Sequence, residues 1–356
     1  IDLMKGSYTL REEMKNGWVQ SAPANPGTYT VNVFSGTNES NMSFGNYQLG
    51  TISGYVFNDL NDNKTRDLGE PGLQQWRIRL SVSSLDSTLS DNNGFYQFQN
   101  LNLGTYEVRE VTPSTWTQTS PVAGFYLVKI NSGTNASNKN FGNITKGIIS
   151  GVAFEDINGN AIKDPNEPTL SGWKINLSGA KTDSAITNAS GAYEFNELEI
   201  GNYAVSEIVQ NGWIQTLPVT GTYNVAIQSG TIASGRNFGT YRVGKITGTF
   251  FNDVDGDGVR DNGEGVLSNW KVFIQGAHND STVTDASGNY SFGNLAIGAY
   301  IISERTETGW KQTLPVGGTY LVSIQSNSLI EGKNFANYEL GKISGIAFDD
   351  ENGNGI

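Results

Sequence analysis

Trp76-Arg77-Ile78-Arg79-Leu80 sets large apolar side chains on every second position, with charge between them. A two-residue period puts Trp76, Ile78 and Leu80 on one side of a strand and both arginines on the other, so one face is buried and one is wet. The alternation returns at Trp173, Ile175, Leu177 and at Trp270, Val272, Ile274. Tyr96 and Phe98, Tyr193 and Phe195, and Tyr290 and Phe292 mark a further strand. Asp91-Asn92-Asn93-Gly94, Asn188-Ala189-Ser190-Gly191 and Asp285-Ala286-Ser287-Gly288 precede it as turns, because Asx side chains bond the local backbone and Gly accepts positive φ. No segment keeps a 3.6-residue period over three turns. The chain reads as all-β, with roughly seven short strands per unit in an immunoglobulin-like or prealbumin-like sandwich.

The unit repeats every 97 residues: Ile52-Ser53-Gly54 returns as Ile149-Ser150-Gly151, Ile246-Thr247-Gly248 and Ile343-Ser344-Gly345. Phe44-Gly45 returns at Phe141-Gly142 and Phe238-Gly239, then as Phe335-Ala336. The seven tryptophans fall on two positions, Trp76, Trp173, Trp270 and Trp18, Trp116, Trp213, Trp310, with Trp18 displaced by an insertion between Pro23 and Gly27. This is the size of an independent domain, longer than a solenoid repeat of about 20–50 residues. The expected division is the C-terminal part of a truncated repeat (1–49), complete repeats at 50–146, 147–243 and 244–340, and the start of a further one at 341–356. The chain is then a window on a longer array. Seven residues, Gly142 to Ile148, join Phe141 to Ile149, so neighbouring units are expected to touch.

Composition narrows the function. Cysteine is absent, which excludes disulfides, thiolate metal sites and a Cys nucleophile. A net charge of −12 argues against nucleic acid or an anionic membrane as partner. No apolar run nears the roughly 18 residues of a membrane span. His278 is the single histidine and does not recur, so no repeated acid–base constellation exists and no enzymatic activity is expected. The Trp76 set alternates with aliphatics and reads as core. The Trp116 set adjoins turn residues and reads as partly exposed. Sequons at Asn135, Asn143 and Asn176 permit glycosylation of a surface protein.

A twelve-residue stretch following the first strand of each unit carries oxygen ligands at the spacing of an EF-hand calcium loop. The first offers Asp59, Asn61, Asn63, the Thr65 carbonyl, Asp67 and Glu70. The second offers Asp156, Asn158, Asn160, the Ile162 carbonyl, Asp164 and Glu167. The third offers Asp253, Asp255, Asp257, the Val259 carbonyl, Asp261 and Glu264, and a fourth begins with Asp350, Asn352 and Asn354. The flanks read as strands, so the expectation is an EF-hand-like Ca2+ loop grafted on a β-sandwich. With five carboxylates against three in each of the others, the third loop should bind tightest. Position 6, where the chain turns sharply, is Gly258 there but Lys64 and Ala161 in the others, which predicts distortion or weaker binding in those two. The order of elements leaves open which end of a sandwich meets its neighbour.

Ile52-Ser53-Gly54-Tyr55-Val56-Phe57-Asn58-Asp59, the loop through Glu70-Pro71-Gly72, Gly94-Phe95-Tyr96-Gln97-Phe98, and Leu103-Gly104-Thr105-Tyr106 leading to Glu110 together resemble the B-type repeats of serine–aspartate (Sdr) surface adhesins, within the wider Cna B-like group. The resemblance covers essentially the whole chain. It implies calcium-binding modules in tandem, forming a stalk or fibre outside a prokaryotic cell. Some Cna B-like domains form a Lys–Asn isopeptide bond assisted by an acid. Glu12, Glu110, Glu207 and Glu304 match the acid, and Asn140, Asn237 and Asn334 are the candidate asparagines. The stretch Ile52–Asn58 holds no lysine, however, and Lys146, Lys245 and Lys342 precede the equivalent stretches. The simpler expectation is a buried carboxylate bonded to backbone amides or a tyrosine hydroxyl.

The leading functional expectation is a non-catalytic, calcium-stiffened stalk or fibre at the cell surface. Its partners are neighbouring repeats of the chain and other copies in a fibre. The alternative is an adhesin whose repeats bind an extracellular protein or glycan, or self-assemble into filaments.

Overall fold

The computed structural model describes residues 2–81, 86–351 and 353–355, and among these there is no helix. Four strands come first: β1 (Gly6–Arg11), β2 (Trp18–Ala22), β3 (Thr28–Val33) and β4 (Gly45–Gln48), pairing as β1–β3 and β2–β4. The first full repeat follows as β5 (Gly50–Asn58), β6 (Arg77–Ser81), β7 (Asp86–Leu89), β8 (Phe95–Leu101), β9 (Gly104–Glu110), β10 (Trp116–Ser120), β11 (Tyr126–Ile130), β12 (Asn135–Ala136) and β13 (Phe141–Thr145). These nine strands exceed the seven expected. The surplus comes from short edge pieces such as β12, only two residues long, which leave no clear period in the sequence.

One sheet runs β11-β9-β6-β7, entirely antiparallel. The other runs β10-β13-β5-β12, with β8 also on β5. This second sheet is mixed: β13 and β12 lie parallel to β5, while β8 and β10 are antiparallel to their neighbours. The next two repeats carry the same two sheets, built on strands Gly147–Glu155 and Gly244–Asn252.

The core lies between the sheets, as the two-residue period requires. Ile78 and Leu80 are buried while Arg77 and Arg79 are exposed. Burying one such aliphatic side chain contributes about 1.5–3 kcal/mol. Trp76 is buried, and the half-buried Trp116 meets it edge-on at 5.4 Å, which settles the second tryptophan set as the border of the core. Trp18 is the more open member, 39% exposed. The recurring Gly of Ile-Ser-Gly has a steric cause: a Cβ at Gly54 would sit 2.1 Å from the Lys139 carbonyl oxygen, and at Gly248 2.1 Å from that of Lys333.

Candidate metal centre and the junction between repeats

Each acidic twelve-mer follows the first strand of its repeat and folds the same way. The position-1 carboxylate is fully buried in Asp59, Asp156 and Asp253. Asp59 accepts the Asn63 amide on Oδ1 and the Lys64 amide on Oδ2, both at 3.0 Å. Asp156 accepts the amides of Asn160 and Ala161, and Asp253 those of Asp257 and Gly258. The position-12 carboxylate closes the loop with both oxygens. Glu70 accepts the Leu60 amide at 2.9 Å and the Asp67 amide at 3.0 Å, and Glu167 and Glu264 repeat the pair. Asn61 and Asn63 turn their amides onto Asp67 Oδ2 at 3.1 and 2.6 Å, and Asn158 and Asn160 do the same to Asp164. The side chains of Ile162 and Val259 point to solvent, leaving position 7 only a carbonyl to offer.

Position 6 corrects the expected distortion of the first two loops. Lys64 and Ala161 take φ of 67° and 61°, close to the 81° of Gly258, so the first two loops turn as the third does. The closing hydrogen bonds outweigh a left-handed penalty of about 1–2 kcal/mol. Of the fourth stretch, Asn352 lies outside the described residues. Asp350 accepts the amides of Asn354 and Gly355, as the position-1 residue does elsewhere.

The third loop gathers the most charge. Carboxylate oxygens of Asp253, Asp255 and Asp257 all lie within 4.8 Å of one another, an arrangement able to hold a metal ion. A hard divalent cation takes six to eight oxygens of this kind, so the donor set fits one. Burial would raise the Asp253 pKa, but the Thr313 hydroxyl and the amides of Gly258, Gly256 and Asp257 outweigh it and hold it low. At Asp255 the Asp257 amide bond lowers the pKa. Slight desolvation and the charges of Asp257, Glu264 and Asp261 outweigh that bond and raise it. Glu70 is raised by burial, and by the nearby charges of Asp59 and Asp67, against the amide bonds from Asp67 and Leu60.

Two recurring residues that sequence reasoning missed touch these loops. Thr119, on β10, donates its hydroxyl to Asp59 Oδ2 at 2.6 Å, and Thr313 does the same to Asp253. Ser229 and Ser326 reach back from the following repeat. The Ser229 amide donates to the Leu60 carbonyl at 3.2 Å, and the Ser326 amide to that of Ile157 at 3.1 Å. Each serine Oγ also accepts the amide of Thr145 or Arg242, and the next residue donates to that same residue's carbonyl. Ser132 clasps Gln48 likewise. The first two loops therefore lie at the contact with the next repeat. At the later junction Glu155 adds a bond from the Ser326 hydroxyl and an ion pair with Arg242 at 3.7 Å. The available signal was recurrence: Thr119, Thr216, Thr313 and Ser132, Ser229, Ser326 each keep the 97-residue spacing.

The acid on β9 is buried, but its partner differs from expectation. Glu110 Oε2 accepts from Asn143 Nδ2 at 2.9 Å, and Glu304 from Asn337 at 2.9 Å; Glu12 takes Asn46 the same way. Asn140, Asn237 and Asn334 instead accept the backbone amides of Tyr55, Val152 and Thr249. The strand register decides this, because Asn143 pairs with Asn58 and so faces the end of β9. Thr240 stands where Asn143 would be in the second full repeat, and neither carboxylate oxygen of Glu207 has a hydrogen-bond partner there. Burial pushes Glu110 and Glu207 up to about 8 and Glu304 to about 7. Asn143 is fully buried, which removes its sequon from reach in the folded protein.

Comparison with known proteins places this architecture. The SdrD B-like domain matches residues 47–146, 147–239 and 244–328. Serine-aspartate repeat-containing protein F of Staphylococcus epidermidis is 29% identical over 342 residues, covering 84% of this chain and 19% of that protein. Serine-aspartate repeat-containing protein D of Staphylococcus aureus strain MW2 is 26% identical over 361 residues, covering 88% of this chain and 26% of that protein. The chain thus spans about a fifth to a quarter of the length of these relatives. Among solved structures, the Bacillus anthracis TIE protein overlaps 94% of this chain and 68% of its own at 15% identity, with a TM-score of 0.38. With three consecutive matches across most of its length, the chain belongs to the SdrD B-like domain family.

Proposed function

We propose that the chain is a non-catalytic segment of an extracellular stalk at a prokaryotic cell surface, divided into repeats at 50–146, 147–243 and 244–340. In this reading Ca2+ enters the loops 59–70, 156–167 and 253–264 through the residues named above and stiffens the array. One observation carries the stiffening: the second residue of a loop accepts a hydrogen bond from the next repeat, at Leu60 from Ser229 and at Ile157 from Ser326. Ordering the loop therefore orders the contact. The SdrD B-like domain matches and the Staphylococcus relatives support a prokaryotic repeat protein of this kind. Calcium at tenfold its dissociation constant stabilises each site by about 1.4 kcal/mol.

Small-angle scattering and thermal melting of the chain, with calcium and with chelator, test the reading. Chelation should lower the melting temperature and shorten the mean end-to-end length. An unchanged scattering profile and melting curve would overturn it.

A further inference from the structure

We propose that Thr119 and Thr313 are positioning residues for the metal, fixing the first carboxylate ligand of their loops and so setting affinity for a divalent cation. The inference rests on the calcium reading above and deepens it.

Asp59 has no solvent contact and three donors: the loop amides of Asn63 and Lys64, and the Thr119 hydroxyl. The two amides belong to the loop and move with it. Thr119 belongs to β10, whose register partner is β13, so its bond ties the carboxylate to the sandwich itself. Oδ2 carries both the Lys64 amide and the hydroxyl, which occupies its two lone-pair directions. Oδ1 carries one amide and keeps an acceptor site for a ligand. Thr313 repeats the hydroxyl contact on Asp253 Oδ2, beside the Gly258 amide, while Asp253 Oδ1 accepts two amides, those of Gly256 and Asp257. The second loop supplies an internal contrast: the Thr216 hydroxyl is buried without a hydrogen-bond partner, and Asp156 is held by loop amides alone. Outer partners that orient a ligand typically change metal affinity by about 10–100-fold.

The test uses the full chain and calcium alone. Protease protection is followed against calcium concentration, with fragments identified by mass so that each loop reports its own midpoint. Thr313→Val should raise the midpoint for 253–264 by about tenfold and leave 59–70 unmoved. Thr119→Val should do the reverse, and Thr313→Ser, which keeps the hydroxyl, should restore wild-type behaviour. Thr216→Val should leave 156–167 within about twofold, since no bond is lost there. A merely structural threonine would lower melting equally with and without calcium and leave the calcium-induced rise intact; that result overturns the proposal. So does a Thr313→Val midpoint equal to wild type. Wild-type loops that gain no protection at any calcium level would instead sink the calcium reading.

Discussion

The amide of Ser229 donates to the carbonyl of Leu60, although the two residues stand in successive repeats. The Ser229 hydroxyl meanwhile accepts the Thr145 amide at 2.8 Å. Ser229→Ala leaves that amide without its acceptor in a half-buried junction. The expected cost is about 1–3 kcal/mol, confined to the contact between repeats. Scattering should show a wider spread of inter-repeat angles, while the melting of each sandwich stays near wild type. An unaltered profile would show that the clasp does not hold the junction.

Acid should stabilise the metal-free sandwiches. Burial lifts Glu207 from an ordinary 4.5 to about 8 in the folded chain, so between these values the folded state binds more protons than the unfolded one. Stability from this group is therefore greatest below about 4.5, falls as pH rises, and levels off above about 8. In chelator, the melting temperature should drop between about pH 5 and pH 8, and Glu207→Gln should flatten that slope. Equal slopes in the two proteins would refute the assignment.

Position 6 of the second loop is strained by its side chain. Ala161→Gly relieves a left-handed alanine and should stabilise the folded loop by about 1 kcal/mol, read as a higher melting temperature in calcium. No gain would mean that the loop already absorbs the strain.

Calorimetric titration should find the 253–264 loop filling first. Asp257→Asn, which gives it the residue type of Asn63 and Asn160, should move its affinity toward those of the other loops. A variant that binds as tightly as the parent would remove ligand charge as the basis of the order.

Intact mass should equal that of the uncross-linked sequence. Asn143 has the buried acid of a cross-linking site beside it, but Val56, Phe57 and Asn58 are the β5 residues paired with Phe141–Asn143, and none carries an amine. A loss of one ammonia per repeat would contradict this.

Much of the fold was legible because it is local and periodic. Trp76, Ile78 and Leu80 declare their strand by alternation, and the ligand spacing from Asp59 to Glu70 declares the loop. What escaped depends on register and long-range pairing. Asn143 rather than Asn140 meets Glu110 because of how β13 lies along β5, and nothing within either segment encodes that offset. Ser229 touches Leu60 only after two repeats have docked. Thr119 was hidden for the same reason, since β10 and the loop are brought together by β13.

The parallel contact of β5 and β13 bears on how the array answers a pull. Only Lys146 separates β13 from the first strand of the next repeat, so tension passes from one straight into the other. Within a repeat, force enters at the start of β5 and leaves at the end of β13. The two strands run side by side in the same direction, and so are dragged lengthwise past each other. Their shared bonds must then rupture together instead of unzipping one by one, a geometry suited to a tether under flow.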